Sequence, residues 1–344
     1  MNNEIGEIIE ISHGGGGKRM DLLIKFLTSN IGLETFNQDI VGPNASDDSA
    51  VLPYNANNIV ITTDSHTVDP IFFRGGNISD LSICGTVNDL TVMGAVPKYL
   101  TFGLIIEEGY KIEKLQQLAR TLGDRCREAN VRIVAGDTKV MPRGMISEIV
   151  MNTAGVGTLV REAPIQDAAA KSGDSIIITA PIGVHGTSLM SLREGIEFDT
   201  DLASDVASFW PSFENVIKNS GVHAMKDLTR GGMASGLSEI ALKSNVCLEI
   251  YEDRVPIKEE SQAICDILGL EIFEISGEGC AVIIVDNDNT DEILNELKTK
   301  NISKYAVKVG TVKESPKGKV HVITEIGGTR ILDKPYGEPI PRVC

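Results

Sequence analysis

Apolar positions along the chain recur with two different periods. Over residues 18–30 (KRMDLLIKFLTSN), Met20, Leu23, Ile24 and Leu27 fall at helical spacing. Residues 78–93 also alternate in helical period. The clearest helix is predicted over 111–129, where Ile112, Leu115, Leu118, Ala119, Leu122 and Cys126 share one face. Runs at 59–63 (IVITT), 99–106 (YLTFGLII) and 131–135 (VRIVA) predict strands, and a long apolar stretch follows at 146–158. Strands alternate with helices, which is the pattern of a mixed α/β fold.

A boundary is expected near 160–172, in the polar stretch REAPIQDAAAKSGD. The alternation then resumes. A strand is predicted at 175–180 (SIIITA), helices at 205–219 and 232–243, strands near 246–250 and 280–285, and a hairpin around Lys317-Gly318. No fixed-period repeat is present. From Gly327 the chain reads GGTRILDKPYGEPIPRVC, with three prolines and no apolar periodicity, and an extended tail is expected. The length of 344 residues suits two domains at roughly 100–200 residues each.

Composition narrows the class. With 42% hydrophobic and 23% charged residues, the chain is that of a globular protein rather than a disordered one. No apolar run approaches the roughly 20 residues that would span a bilayer. The opening MNNEIGEIIE is acidic and alternating, which is not the pattern of a secretory signal, so the cytoplasm is the expected compartment. The net charge of -16 argues against nucleic acid and anionic membranes as partners. It also means that a bound nucleotide needs a divalent metal between its phosphates and the protein's carboxylates. Six cysteines (84, 126, 247, 265, 280 and 344) form no CxxC pair. A zinc site or disulfide framework is therefore not expected, and the first five read as small core residues.

Three features carry candidate chemistry. His13-Gly14-Gly15-Gly16-Gly17-Lys18 directly precedes a predicted helix. It reads either as an anion-binding loop, its backbone N–H groups aided by the helix dipole, or as a flexible linker. It is not a Walker A loop. Acidic residues also recur at strand ends and turns: Asp47-Asp48, Asp64, Asn88-Asp89, Asp137 and Asp227. Singly each reads as a cap or turn residue, whereas together they suit magnesium, which takes one or two carboxylates plus phosphate oxygens. Finally, Cys344 stands at the end of a Pro-rich arm with Arg342 two residues away. It reads as a mobile reactive thiol or as a chance surface thiol; a prenylation box, which needs three residues after the cysteine, is not expected.

These pieces, in this order, resemble the HypE family of hydrogenase maturation proteins, within the superfamily of aminoimidazole ribonucleotide synthetase, selenophosphate synthetase and thiamine-monophosphate kinase. The resemblance runs over essentially the whole length. It rests on HGGGGK (13–18), DDSAVL (47–52), TTDSHTVDPIFFRGGNISDLSICGTVNDLTVMGA (62–95), VAGDTKV (134–140), GVHGTSLM (183–190), KDLTRGGMASGLSEIA (226–241) and PRVC (341–344). The implied fold is a two-domain α/β (α+β) architecture: an N-terminal segment (1–42) with the Gly-rich loop, domain A (43–160) binding ATP and closing a β-barrel with its twin in a homodimer, domain B (161–326), and a C-terminal tail (327–344).

The implied activity is ATP-dependent dehydration of a carbamoyl group carried on Cys344 to a thiocyanate, which provides the cyanide ligand of a nickel–iron hydrogenase. The implied partners are the carbamoyltransferase HypF as donor and a HypC–HypD complex as cyanide acceptor. By motif, Asp48, Asp89 and Asp227 match magnesium ligands. Gly15, Gly16, Lys18, Asp64 and Asp137 match nucleotide positions, and Lys139 matches a contact to phosphate or carbamoyl. Glu278 matches a catalytic base in the family's Asn-Glu-Gly-Lys stretch, although here its neighbours read Ser276-Gly277-Glu278-Gly279-Cys280. Two flanking glycines suggest a site open to the arm. His13 and His66 are expected in hydrogen-bonding roles. Selenophosphate synthetase would need a reactive Cys in residues 13–18, which hold none. The rival of a different class is a non-catalytic scaffold using the arm as a docking peptide.

Overall fold

The computed structural model describes residues 7–10, 18–31, 59–162, 164–195 and 202–334, and of residues 18–21 and 24 only the backbone. The chain divides into two compact units. The first comprises Met1–Ile71, Gly76–Leu90 and Pro97–Thr158, and the second Phe72–Gly75, Thr91–Val96 and Leu159–Cys344.

After α1 (Lys18–Ile31) and β1 (Ile59–His66) comes the short strand β2 (Phe72–Phe73), which belongs to the second unit; the first resumes with β3 (Gly76–Asn77) and most of helix α2 (Ile78–Val92). It continues with β4 (Ala95–Glu107), α3 (Ile112–Glu128), β5 (Arg132–Met141) and β6 (Ile149–Leu159). Its four strands form one sheet in the order β1-β6-β4-β5. β1 runs antiparallel to β6, and β4 runs parallel to β5, as a strand–helix–strand crossover through α3 requires. The predicted face of α3 is the buried one, from Ile112 to Cys126. β5 extends past its predicted end at 135, because Thr138 and Val140 keep alternating inward while Asp137 and Lys139 face out. Gly155 lets β6 lie against α2: a side chain there would meet Thr86 at 2.7 Å and Leu90 at 2.9 Å.

The second unit is built on a seven-stranded sheet in the order β13-β12-β9-β11-β7-β10-β8. These strands are β7 (Ser175–Ile178), β8 (Val222–Asp227), β9 (Cys247–Tyr251), β10 (Ala281–Val285), β11 (Val307–Lys313), β12 (Lys319–Ile323) and β13 (Thr329–Ile331). The helices are α4 (Val184–Arg193), α5 (Glu214–Lys218), α6 (Gly232–Ser244), α7 (Glu259–Leu268) and α8 (Thr290–Lys298). β7 and β10 lie in mid-sheet and are buried throughout, which explains their continuous apolar runs.

Three sequence expectations are corrected in this unit. The helix predicted over 205–219 shrinks to α5. Residues 202–209 lack regular structure, and Pro211 cannot sit inside a helix without removing a hydrogen bond and clashing with the carbonyl four residues back. The turn at Lys317-Gly318 is real, but it makes no hairpin. β9 lies between its two flanking strands, antiparallel to β11 and parallel to β12. The chain after Gly327 is not all irregular tail, since β13 pairs with β12 and Leu332 is buried. Among the described residues, no helix is long and apolar enough to cross a membrane.

Candidate active site

In the first unit, alternation along β1 sends Thr62, Asp64 and His66 toward α2 and Ile61, Thr63 and Ser65 outward. The Thr62 hydroxyl donates to Asp89 Oδ2 at 2.9 Å, which fixes one carboxylate oxygen of Asp89. His66 is buried, with Nε2 3.1 Å from Asp64 Oδ2. Gly85 on α2 makes this approach feasible, because a Cβ there would meet His66 Cε1 at 3.1 Å and Asp64 Oδ2 at 3.2 Å. Asn152 on β6 donates to the Asp64 carbonyl at 2.9 Å and holds the strand from the other side. Asp64 and Asp89 are thus gathered beside one helix. The sequence offered no sign of the parts played by Thr62 and Gly85, since their contacts exist only once β1 and α2 are packed.

Asp137 and Lys139 lie elsewhere in that unit. They face out from β5, opposite Gly103 and Ile105 of β4. β5 is the far edge from β1, three strand spacings or about 14 Å away. Within one chain they do not meet Asp64 and Asp89. They share the outward sheet face with Ile61 of β1, as Gly103 abuts Asn152 opposite Ser65.

In the second unit, Asp227 ends β8 opposite Ala281, three residues after Glu278. The two belong to one loop cluster. Gly277 N donates to the Leu228 carbonyl at 2.9 Å, and Leu228 N donates to the Cys280 carbonyl at 3.0 Å. The Gly231-Gly232 pair lets α6 begin against this loop, since a Cβ at Gly232 would meet the Ile275 and Phe273 carbonyl oxygens at 2.5 and 2.7 Å. Glu278 itself is half-buried. The two glycines beside it are buried, and their bare Cα atoms face the Asp205 segment. Their absence of side chains therefore serves the packing beneath the loop, where the sequence suggested access for the arm.

Sequence reading missed Asp205. Its carboxylate accepts from Glu278 N and Gly279 N, each at 3.1 Å. No motif marks it, and it sat inside a helix prediction that the fold does not realise. Sequence reading also assigned nothing to His185, which is fully buried on α4, lies 2.8 Å from Ser204 Oγ and meets the Phe73 ring edge-on at 5.5 Å. Burial, then Arg193, pushes its pKa down to about 3.

Gly15, Gly16, Asp48 and Cys344 lie outside the described residues, as does the side chain of Lys18, whose backbone opens α1. Among the described residues, no three His, Cys, Asp or Glu side chains gather as a metal site. Magnesium needs no such cage when phosphate oxygens complete its shell, and a carboxylate oriented by a hydroxyl, as Asp89 is, fits that use. The five described cysteines are all buried free thiols, and burial pushes those of Cys126, Cys265 and Cys280 up to about 12. None of them is a ready nucleophile.

The N-terminal domain model of AIR synthase related proteins matches residues 46–159, and the C-terminal domain model matches 171–323. A hydrogenase expression/formation protein of Methanocaldococcus jannaschii is 43% identical over 334 residues, 96% of this chain and 98% of its own length. The carbamoyl dehydratase HypE of Rhizobium leguminosarum bv. viciae is 38% identical over 338 residues, 98% of this chain and 95% of its own. The chain belongs to the HypE family. A crystal structure of a HypE in complex with ATP superposes with a TM-score of 0.92 at 33% identity, covering 98% of this chain and all of the other. A HypE solved in complex with HypF gives a TM-score of 0.77 at 39% identity, covering 81% of this chain and 91% of the other.

Proposed function

We propose that this chain is an ATP-dependent carbamoyl dehydratase that acts on a carbamoyl group carried by its own Cys344, and that the resulting cyano group becomes the cyanide ligand of a nickel–iron hydrogenase. The observation that carries the reading is the near-full-length likeness to carbamoyl dehydratases of this name, one of whose relatives was solved with ATP bound.

The chemistry explains why ATP is needed. A carbamoyl oxygen is a poor leaving group. Transfer of the γ-phosphoryl group forms a C–O–P bond, breaks the bond to ADP and makes that oxygen a good one. The C–O bond then breaks, both N–H protons leave, and a C≡N bond forms on sulfur. The products are the thiocyanate, ADP, phosphate and a proton. Glu278 is the proposed base for the N–H proton, and Lys139 is proposed to contact the phosphates or the reacting carbamoyl. A substrate tethered to the chain meets the site at high effective concentration.

Asp64 and Asp137 are assigned to the nucleotide, as are Gly15, Gly16 and Lys18 of the N-terminal loop. Asp48, Asp89 and Asp227 are assigned to magnesium, which would neutralise polyphosphate charge beside an acidic protein. Residues 43–160 serve nucleotide binding and dimer formation, 161–326 form the second α/β domain, and 327–344 carry the thiol. A homodimer is supported by the outward face of the first unit's sheet, where Ile59, Ile61 and Ile105 are exposed beside Asp137 and Lys139. HypF is the carbamoyl donor, in keeping with the solved complex of a relative. A HypC–HypD complex is the proposed acceptor. The cytoplasm is the proposed location, because a thiol awaiting carbamoylation must stay reduced.

The test is ATP hydrolysis by the protein with HypF present. Turnover is expected only when Cys344 is carbamoylated, and Cys344→Ala abolishes it. Equal hydrolysis with and without the carbamoyl group contradicts the reading.

A further inference from the structure

We propose that Asp205 is a positioning residue for Glu278, its carboxylate fixing the backbone from which the base projects; this rests on the proposed role of Glu278. The two oxygens of Asp205 are both used within the loop: Oδ1 accepts from Glu278 N and Oδ2 from Gly279 N, at 3.1 Å each. The carbonyl side of Glu278 is held too, since it accepts from Ala207 N at 3.4 Å, two residues beyond Asp205. The peptide groups on both sides of the base are thus tied to one short segment, 205–207.

The glycines beside Glu278 follow from this clamp. A Cβ on Gly277 would stand 3.2 Å from Asp205 Oδ2, and one on Gly279 would be driven into the Asp205 carbonyl oxygen. The segment is braced from behind. Ser204 Oγ lies 2.8 Å from His185 Nδ1 and accepts from Val206 N at 3.1 Å. The loop is braced as well, through Gly186 N to the Ser276 carbonyl at 3.0 Å. Burial pushes the Asp205 pKa above the ordinary carboxylate range, against the two N–H bonds that pull it down. Even a half-buried carboxylate is costly to keep in a fold unless it is hydrogen-bonded. Here it spends both oxygens on two consecutive N–H groups, one of them that of the base. Sub-ångström placement of a base matters because proton transfer needs hydrogen-bond reach.

The test is a double-mutant cycle on the full chain carbamoylated by HypF. Single-turnover phosphate release at saturating ATP is measured for the unmodified sequence, Asp205→Asn, Glu278→Gln and the double variant. Asn keeps the shape but turns an amino group toward one of the two N–H donors. The expected result is a slowing by about 10-fold in Asp205→Asn, the order of one lost charge-assisted hydrogen bond. No further slowing is expected when Asp205→Asn is added to Glu278→Gln. A merely structural role predicts the same slowing in both backgrounds, and that result overturns the proposal. Normal turnover by Glu278→Gln would instead remove Glu278 from the mechanism, and normal turnover by Asp205→Asn alone would remove Asp205. If Asp205→Asn does not fold, Gly277→Ala takes its place in the same cycle. It presses a methyl group against Asp205 Oδ2 and leaves the charge intact, and it is expected to slow turnover only when Glu278 is present.

Discussion

At the residue scale, much of the candidate chemistry was legible as residue type, and little of it as geometry. Asp64 and Asp89 stand out in the sequence as acids expected at strand ends or turns, but Thr62, which orients Asp89, and Gly85, which admits Asp64 and His66, give no signal. A substitution tests the first of these. Asp89→Asn keeps an acceptor for Thr62 and loses the charge that the proposed magnesium site needs. The magnesium concentration for half-maximal ATP turnover is expected to rise by at least ~10-fold. An unchanged magnesium titration would remove Asp89 as a ligand. His185 gives a pH dependence. Its folded-state pKa lies near 3, against an ordinary 6.5. The unfolded chain takes up this proton as pH falls below about 6.5 and the folded chain does not, so stability present above that pH is lost progressively toward pH 3. The melting temperature should therefore drop between pH 7 and pH 5, and by less in His185→Asn. An equal drop in both proteins would mean that other groups dominate.

At the element scale, the sequence predicted most helices and strands because their apolar periods are long and regular, as in α3. It failed where the partner strand is distant in sequence. Nothing around Lys317-Gly318 reveals that β9 intervenes between β11 and β12. It failed also at 205–219, where Pro211 and the hydrogen bonds of the Asp205 segment outweigh an apolar pattern. The junction of α2 and α3 was likewise invisible. Asp80 accepts from Asn77 N at 2.7 Å, closing the start of α2, and from Arg125 Nε of α3 at 2.6 Å. Its side chain is 4% exposed and that of Arg125 25%. Asp80→Ala leaves a half-buried guanidinium short of its partner, and it is expected to cost about 3 kcal/mol. Denaturant unfolding checks this, and a loss below the usual half kilocalorie of a surface change would show that Glu128 alone satisfies Arg125.

At the scale of the whole molecule, the acidic composition sets a condition, that a bound nucleotide needs a divalent metal beside it, and the two-domain length agrees with the two compact units. What composition could not give is that Asp137 and Lys139 sit on an outward face, away from Asp64 and Asp89 in the same chain. The proposed homodimer would cover that face, with its exposed isoleucines, and would bring the proposed site residues Asp137 and Lys139 against a second copy. Ile61, 65% exposed, is the natural probe. Ile61→Lys is expected to shift the protein from dimer to monomer in sedimentation and to lose ATP turnover with it. A monomeric parent protein at micromolar concentration would contradict the dimer. The central claim is that Cys344 carries the substrate. Mass spectrometry of the peptide containing Cys344, after incubation with HypF and its carbamoyl source, tests it most directly. The predicted result is a carbamoyl adduct on Cys344 that loses the mass of one water when ATP is added, with neither species formed by Cys344→Ala. An adduct on another residue, or one that ATP leaves unchanged, would contradict the account.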